Sequence, residues 1–340
     1  MSSRQYGFNS FVGAGKETAW GTKVTPSTFF EFNSESLSVQ DEEQILETIN
    51  GDRDFTRRLQ GMRSVSGSVE GPFNPAVDFV MMLLANALGG AITSAGVSGE
   101  TGAYEHVITT GDMLNGTISS MTLTKRLGET DKFAFTGCRV NSLTIKGDFG
   151  NFISISAEIV GKDIENESAS IIPVLVDVEP CNFPAVSVWI APLTASTVQD
   201  AANLQEIQSF ELSISNNLIT DGKARSMGSR TLDVLPPSRR EVRLKLSQSY
   251  EGKDILDRSQ AGVPYQAQLL LEARGKIAST GTQKYDCLFD LPEIYYNVPM
   301  PGASDMGILG VDPEFTCIKG KRSGKTYAIK ATVHNATASY

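Results

Sequence analysis

The sequence predicts a mainly β protein built as two tandem domains, each a β-sandwich or barrel with one flanking helix. Three observations carry this expectation. From residue 36 onward, Thr, Ser, Val and Ile alternate in short runs broken by Gly, Asn and Asp, the pattern of half-buried strands. The order of these runs occurs twice along the chain. The length of 340 residues, at about 150 per domain, makes room for two cores.

Residues 1–33 show no period. Their Gly, Ser and Thr content, with Phe8, Phe11, Trp20, Phe29 and Phe30 as scattered apolar anchors, reads as an N-terminal arm. Such an arm is expected to be mobile in a monomer and to order against an adjacent subunit. A first domain follows over 34–165. Its run Met62–Glu70 sets Val65, Gly67 and Val69 against Ser64, Ser66, Ser68 and Glu70. Phe152–Ile159 sets Ile153, Ile155, Ala157 and Ile159 against Ser154, Ser156 and Glu158. Each such strand has one dry face and one wet face of small hydroxyls and an acid. Asp148–Asn151 supplies the turn that joins Asn141–Gly147 to Phe152–Val160 as a hairpin.

One helix stands out. Asn74 is a suitable N-cap, Pro75 suits the first helical position, Asp78 favours the positive end of the dipole, and Gly89-Gly90 stops the run. Its body, Ala76–Leu88, is apolar almost all round, so it is either buried deeply or docked on a partner subunit. Residues 166–182, with Pro173 and Pro180, form a linker, and 183–340 form the second domain.

The repeat is one of order rather than of residues. In the first half a strand, the charged loop Arg53–Arg58 and the strand Gly61–Glu70 precede the helix. In the second, Phe210–Leu218, the charged loop Asp221–Arg230 and Arg240–Tyr250 precede a short helix over Lys253–Gln260, closed by Gly262. Ser120–Leu127 and Lys132–Gly137 then match Gln266–Ala273 and Lys284–Phe289. Each half ends on a strand pair: Asn141–Val160 in the first, Glu314–Lys319 with Thr326–Val333 in the second.

Composition removes several function classes. Thirty Lys plus Arg against 39 Asp plus Glu gives a net charge of −9, which argues against holding a phosphate backbone by counterion release. Four cysteines without CxxC spacing argue against a zinc module, and without an export signal they read as reduced core thiols. The apolar run Phe79–Ile92 is too short for a bilayer helix. Gly13–Thr18 looks like a phosphate loop but has Ser10 in place of the first glycine and Glu17 after Lys16. His106 and His334 both read as surface histidines, with no Gly-x-Ser-x-Gly elbow beside either. The acids Asp41-Glu42-Glu43 read as an anionic surface rather than a glycosidase pair. Arg57-Arg58 and Arg239-Arg240, lacking aromatic partners for base stacking, read as ion pairs between subunits. No catalytic, cofactor or metal residue is expected.

The stretch Gly15-Lys16-Glu17-Thr18-Ala19-Trp20-Gly21-Thr22, followed by Pro26 and Phe29-Phe30, resembles the opening of the tail tube proteins of long-tailed, non-contractile phages. Ser34–Leu37, Gly67–Glu70, Asn141–Ile145 and Phe152–Gly161 are similar to the same family, so the likeness covers about the first 165 residues. The second half matches by order of elements, as in family members that fuse two tube domains. The resemblance implies strands that join those of neighbouring subunits in a shared barrel around a channel. It also implies rings stacked into the tail of the virion after assembly in the host cytoplasm. The implied partners are copies of the chain itself, tape measure, tail terminator and tip proteins, and DNA in transit without stable binding, with no membrane. The candidates for the channel wall are Ser66, Ser68, Glu70, Ser154, Ser156 and Glu158, with Asp41, Glu42 and Glu43 near a ring junction. Two tube domains per chain imply three chains per ring. The alternative is a soluble two-domain adhesin or carbohydrate-binding sandwich, for which two tryptophans make a poor aromatic platform.

Overall fold

The computed structural model describes residues 5–49, 53–111, 120–277, 281–302, 307–322 and 324–340. Strands β1 (Phe11–Lys16), β2 (Thr28–Phe30), β3 (Ser34–Glu35), β4 (Ser38–Ile45) and β5 (Arg58–Pro72) lead into helix α1 (Asp78–Leu88). Next come β6 (Ile92–Gly96), β7 (Tyr104–Thr109), β8 (Met121–Leu127), β9 (Asp131–Asp148), β10 (Ser154–Gly161) and β11 (Asp163–Asn166). After the extended segment 167–182 follow β12 (Val186–Pro192), β13 (Ser209–Ser215), β14 (Glu241–Ser249), α2 (Asp254–Ala261), β15 (Tyr265–Lys276) and β16 (Lys284–Asn297). The short strands β17 (Gly310–Val311), β18 (Glu314–Ile318), β19 (Gly320–Arg322), β20 (Lys325–Tyr327) and β21 (Lys330–Asn335) come last.

The pairing pattern occurs twice, all antiparallel. β1–β8–β9 in the first half corresponds to β12–β15–β16 in the second. The N-terminal part of β9 is lined by β11 and its C-terminal part by β10; β16 is lined in the same way by β21 and β18. From β10 the sheet continues through β5 to β4, and from β18 through β14 to β13. The halves join where β13 pairs along the other side of β9, Ser209–Ser215 against Asp148–Ser142. One sheet therefore runs β4-β5-β10-β9-β13-β14-β18-β16, and this single-chain arc stays open.

Several expectations change in detail. Lys132–Gly137 and Asn141–Gly147 are one strand, because Gly137, at φ +65°, kinks β9 and lets it serve two sheets. Lys162 and Trp20 pack so closely there that a Cβ at position 137 would sit 2.8 Å from the Lys162 side chain. β18 and β21 do not pair with each other as expected; both pair with β16, on different parts of its length. Asn74 does not cap the helix. Its Oδ1 accepts from the Ala76 amide in a preceding turn, and α1 starts at Asp78 with Val77 in the N-cap position, while Gly89 ends it at φ +78° as expected. Phe79, Val80, Met81, Leu83, Leu84 and Leu88 are each no more than 1% exposed, and Phe79 stacks on Phe30 at 4.9 Å, so α1 is core. Helix α2 has no buried residue. All four cysteines are buried and unpaired.

Most of the expected arm lies inside the fold of its own chain. β1 pairs with both β2 and β8, and Phe11 and Phe30 are 4% exposed. Phe29 packs edge-on against Phe11, and the Trp20 Nε1–H donates to Gly137 O at 3.2 Å. Of the five anchors, Phe8 stays exposed. The pin is Glu17, which is 2% exposed. Its carboxylate accepts from the Gly21 and Gly137 amides, each at 2.8 Å, from Thr122 Oγ1 at 2.8 Å, and from Ser120 Oγ. The motif that looked like a phosphate loop thus places a carboxylate inside the protein. Glu17→Ala leaves these buried donors without an acceptor and is expected to lower stability by about 3 kcal/mol, read as the loss in urea unfolding free energy.

The two histidines are not surface residues. Both lie on the seam where β7, from the first half, pairs with β21 of the second. His106 is fully buried; its Nε2–H donates to Asn335 Oδ1 at 3.0 Å and its Nδ1 accepts from Ser94 Oγ at 2.8 Å. Burial pulls its pKa below the ordinary 6.5 despite the bond to Asn335. His334 lies 2.7 Å from Asp286 and 3.4 Å from Glu105. Burial opposes its charge, but the hydrogen bond and charge of Asp286, with Glu105, outweigh it and hold the pKa above 6.5. His334 thus adds stability that is complete below pH 6.5 and lost as pH rises through its raised pKa; His106 costs stability as pH falls below 6.5. Proton NMR titration should find the two rings titrating on opposite sides of that value.

Candidate functional site

Cross-strand register places the wet sides of all eight strands of the arc on one surface. Ser66, Ser68 and Glu70 on β5 face Val160, Glu158 and Ser156 on β10. Ser154, Ser156 and Glu158 face Lys146, Thr144 and Ser142 on β9, and those face Glu211, Ser213 and Ser215 on β13. The row continues through Lys245, Arg243 and Glu241 on β14, Glu314 and Thr316 on β18, and Asn297 and Tyr295 on β16. The opposite side is apolar along the middle of the arc: Val65, Val69, Ile155, Ile145, Leu212, Leu244 and Phe315 are no more than 1% exposed. Period-2 alternation in the seven adjacent strands from β5 to β16 thus builds one continuous polar face over one continuous core.

Two devices keep that face regular. At Gly67 the chain of Ser36 and Leu37 comes so close that a Cβ would lie 2.6 Å from the Leu37 Cα; this lets β3 and β4 hand over along β5 while Leu37 stays buried. Hydroxyls also bind across strands: Ser36 Oγ lies 3.0 Å from Ser68 Oγ, and Ser142 Oγ donates to Glu158 at 2.8 Å.

The two halves of the face differ in charge. On the first-half strands Glu70 and Glu158 are set among serines. At the seam and in the second half acids and bases are interleaved: Glu211 lies 3.6 Å from Lys146 of β9 and 3.7 Å from Lys245, and Arg243 lies 2.8 Å from Glu314 and 3.6 Å from Glu241. Glu314, through its hydrogen bond and charge, raises the Arg243 pKa further above its ordinary value. The sequence reading had no residues for this second half of the face. Glu211, Ser213, Arg243 and Lys245 alternate with buried Leu212 and Leu244, so the period-2 signal was there to find.

Asp41 falls off this face. It shares the side of Val39 and Val65, opposite Arg63, and pairs with Arg63 and Arg230 at 3.3 Å. Glu43 is paired with Arg58 across the same hairpin. Arg240 donates to Asn216 Oδ1 at 3.1 Å and to Gly111 O at 2.6 Å. Arg58 and Arg240 therefore each have partners within the chain. Glu42 lies at a bulge between Asp41 and Glu43.

The assignment of faces is testable by stability. Ser66→Ala or Ser156→Ala should change the urea unfolding free energy by less than about 0.5 kcal/mol, while Ile155→Ala, one residue away, should cost about 3 kcal/mol.

Among the described residues no helix is long and apolar enough to cross a membrane, and no cluster of three His, Cys, Asp or Glu is placed to hold a metal ion. Comparison with curated proteins gives no match to the chain. The sequence profile described as phage tail tube protein matches residues 7–307 of the 340. That span runs from the start of the fold through all but the last strands of the sheet. By this match, which the mainly β fold accompanies, the chain belongs to the phage tail tube protein family, structural proteins that assemble with their own copies into the tube of the virion tail.

Proposed function

We propose that the polar face of the eight-stranded arc lines the channel of the tail tube, and that three chains close one ring. The observation that carries this reading is the pairing of β13 with β9 inside the chain. It supplies a worked example of how one half joins the next through backbone hydrogen bonds. Each half contributes four strands to the arc, so three chains bring roughly 24 strands to one barrel.

The two ends of the arc are unlike and complementary. Among the described residues β4 has no strand on the side away from β5. Tyr295–Asn297 of β16 has none on the side away from β18, where β15 reaches only Ile294. That part of β16 corresponds to the part of β9 that β13 occupies, and β4 corresponds to β13. A head-to-tail ring in which β4 of one chain adds to β16 of the next repeats the internal joint, and closure removes both edges. The ring's top and bottom differ, so stacking continues as an open filament until tip and terminator proteins cap it, with a tape measure protein in the bore during assembly in the host cytoplasm. DNA passes without stable binding. Glu70, Glu158 and the balanced ion pairs of the second half keep the wall wet and net acidic, which repels phosphate.

Electron cryomicroscopy of tubes should give threefold rings with two unequal quasi-equivalent positions per chain. Six identical positions, or Ser66, Ser156 and Glu158 on the outer surface, would refute the reading. Glu70→Lys with Glu158→Lys should allow assembly and slow DNA ejection, read as dye-labelled genome released over time from otherwise normal virions.

A further inference from the structure

We propose that α2 guards the open edge of β16 in the unassembled chain and gives way when β4 of the next chain adds there. The inference rests on the ring proposed above and goes beyond it by assigning a device that keeps the edge closed until assembly. β15 pairs along the side of β16 away from β18 and reaches only Ile294. Helix α2 leads into β15 and so stands where that side of β16 runs out. There Ser259 Oγ donates to Tyr296 O at 3.4 Å and accepts from the Val298 amide at 3.2 Å. Ile294, Tyr296 and Val298 are alternate residues, whose backbone groups turn to the same side of a strand. One hydroxyl thus occupies a carbonyl and an amide that an added strand would take, which blunts the edge against unwanted pairing.

The joint already closed inside the chain is the model for the open one. The Asn216 amide donates to Asn141 O at 2.8 Å and the Phe149 amide to Gln208 O at 3.1 Å. Alternate residues between these points, Leu143, Ile145 and Gly147, therefore turn their backbone toward β13. Helix α1 meets β9 just past this stretch, where the Val140 amide donates to Asn86 Oδ1 at 2.7 Å. With its strand in place, the helix of the first half sits beside the joint. The helix of the second half, with no strand added, sits on it.

The attachment of α2 is light. α1 is core, whereas α2 buries no residue. Besides Ser259, it is held by Ile255, partly buried against the core, and by Arg258, which lies 5.6 Å over the Tyr265 ring and 3.5 Å from the Tyr296 hydroxyl. These contacts are few beside the seven residue pairs by which β13 holds β9, so strand addition prevails over the helix.

Hydrogen–deuterium exchange read by mass spectrometry, on the full chain as monomer and as tubes, tests the guard. In monomers Ser259→Ala should speed exchange at Val298 about fivefold, the loss of one ordinary hydrogen bond. In tubes the variant and the wild type should exchange equally slowly there, because β4 then holds the amide. Peptides from α2 should exchange faster in wild-type tubes than in wild-type monomers. Ser259→Ala and Arg258→Ala should each shorten the lag of tube growth followed by light scattering. Protection of Val298 that still depends on Ser259 in tubes overturns the proposal, as does exchange of α2 unchanged by assembly, or a lag shortened in neither variant. Should a variant fail to fold, the wild-type comparison of α2 between monomer and tube decides alone. Electron cryomicroscopy separates the two claims. Rings joined through β4 and β16 with Ser259 still on Val298 overturn the guard alone, while rings joined elsewhere fail the proposed function and the guard with it.

Discussion

The backbone pairing of β13 with β9 is the constraint from which the rest of the architecture follows. Seven residue pairs join strands that lie more than sixty positions apart in sequence, and they turn two four-stranded units into one sheet. Because the register is fixed by a buried face, it also fixes which side of every later strand is wet. Slipping the seam by one residue would put Leu212 and Ile214 among the serines and Glu211 into the core. Leu212, Ile145 and Leu143 are buried together beneath the seam, so the hydrophobic term and the hydrogen-bond ladder select the same register.

Buried polar groups hold the connections that apolar packing leaves unspecified. Asn216 Nδ2 donates to Ala87 O and Val140 O, fixing the exit of β13 to the end of α1 and to β9. Asn86 Oδ1 accepts from the Val140 amide beside it. Asp290, 1% exposed, gathers Gln268, Arg322, Tyr327 and Lys330, which ties the β19–β20 hairpin onto β16. Burial, together with the hydrogen bond to Asp290, pushes the Tyr327 phenol well above its ordinary pKa. Each carboxylate taken from water is costly unless its oxygens are met, and here they are met by several donors at once.

The alternation in Met62–Glu70 and Phe152–Ile159 was legible because one face of each strand is dry, so the side-chain period of two appears directly in the residues. The twofold order of elements was legible for the same reason. Phe11–Lys16 was not, since β1 is buried on both sides and rich in glycine, and such a run carries no period. The environment of His106 was hidden because its partner Asn335 lies 229 positions away. Asn74 looked like a helix cap because an Asx turn and a cap use the same residue type. In the second half of the polar face the residues alternate as plainly as in the first, but whether Lys245 and Glu211 are opposed depends on register, which one strand read alone does not contain.

The pairing of β7 with β21 has a consequence for how the protein is made. β7 and β21 lie more than two hundred positions apart in sequence, and six residue pairs bring them together between β6 and β16. A chain emerging from the ribosome can pair β6 with β7 early, but β7 keeps a bare edge until β21 has been synthesised. β16 waits for the same strand along Asp286–Asp290. Both edges are thus closed by β21, and contacts of such long sequence separation form slowly.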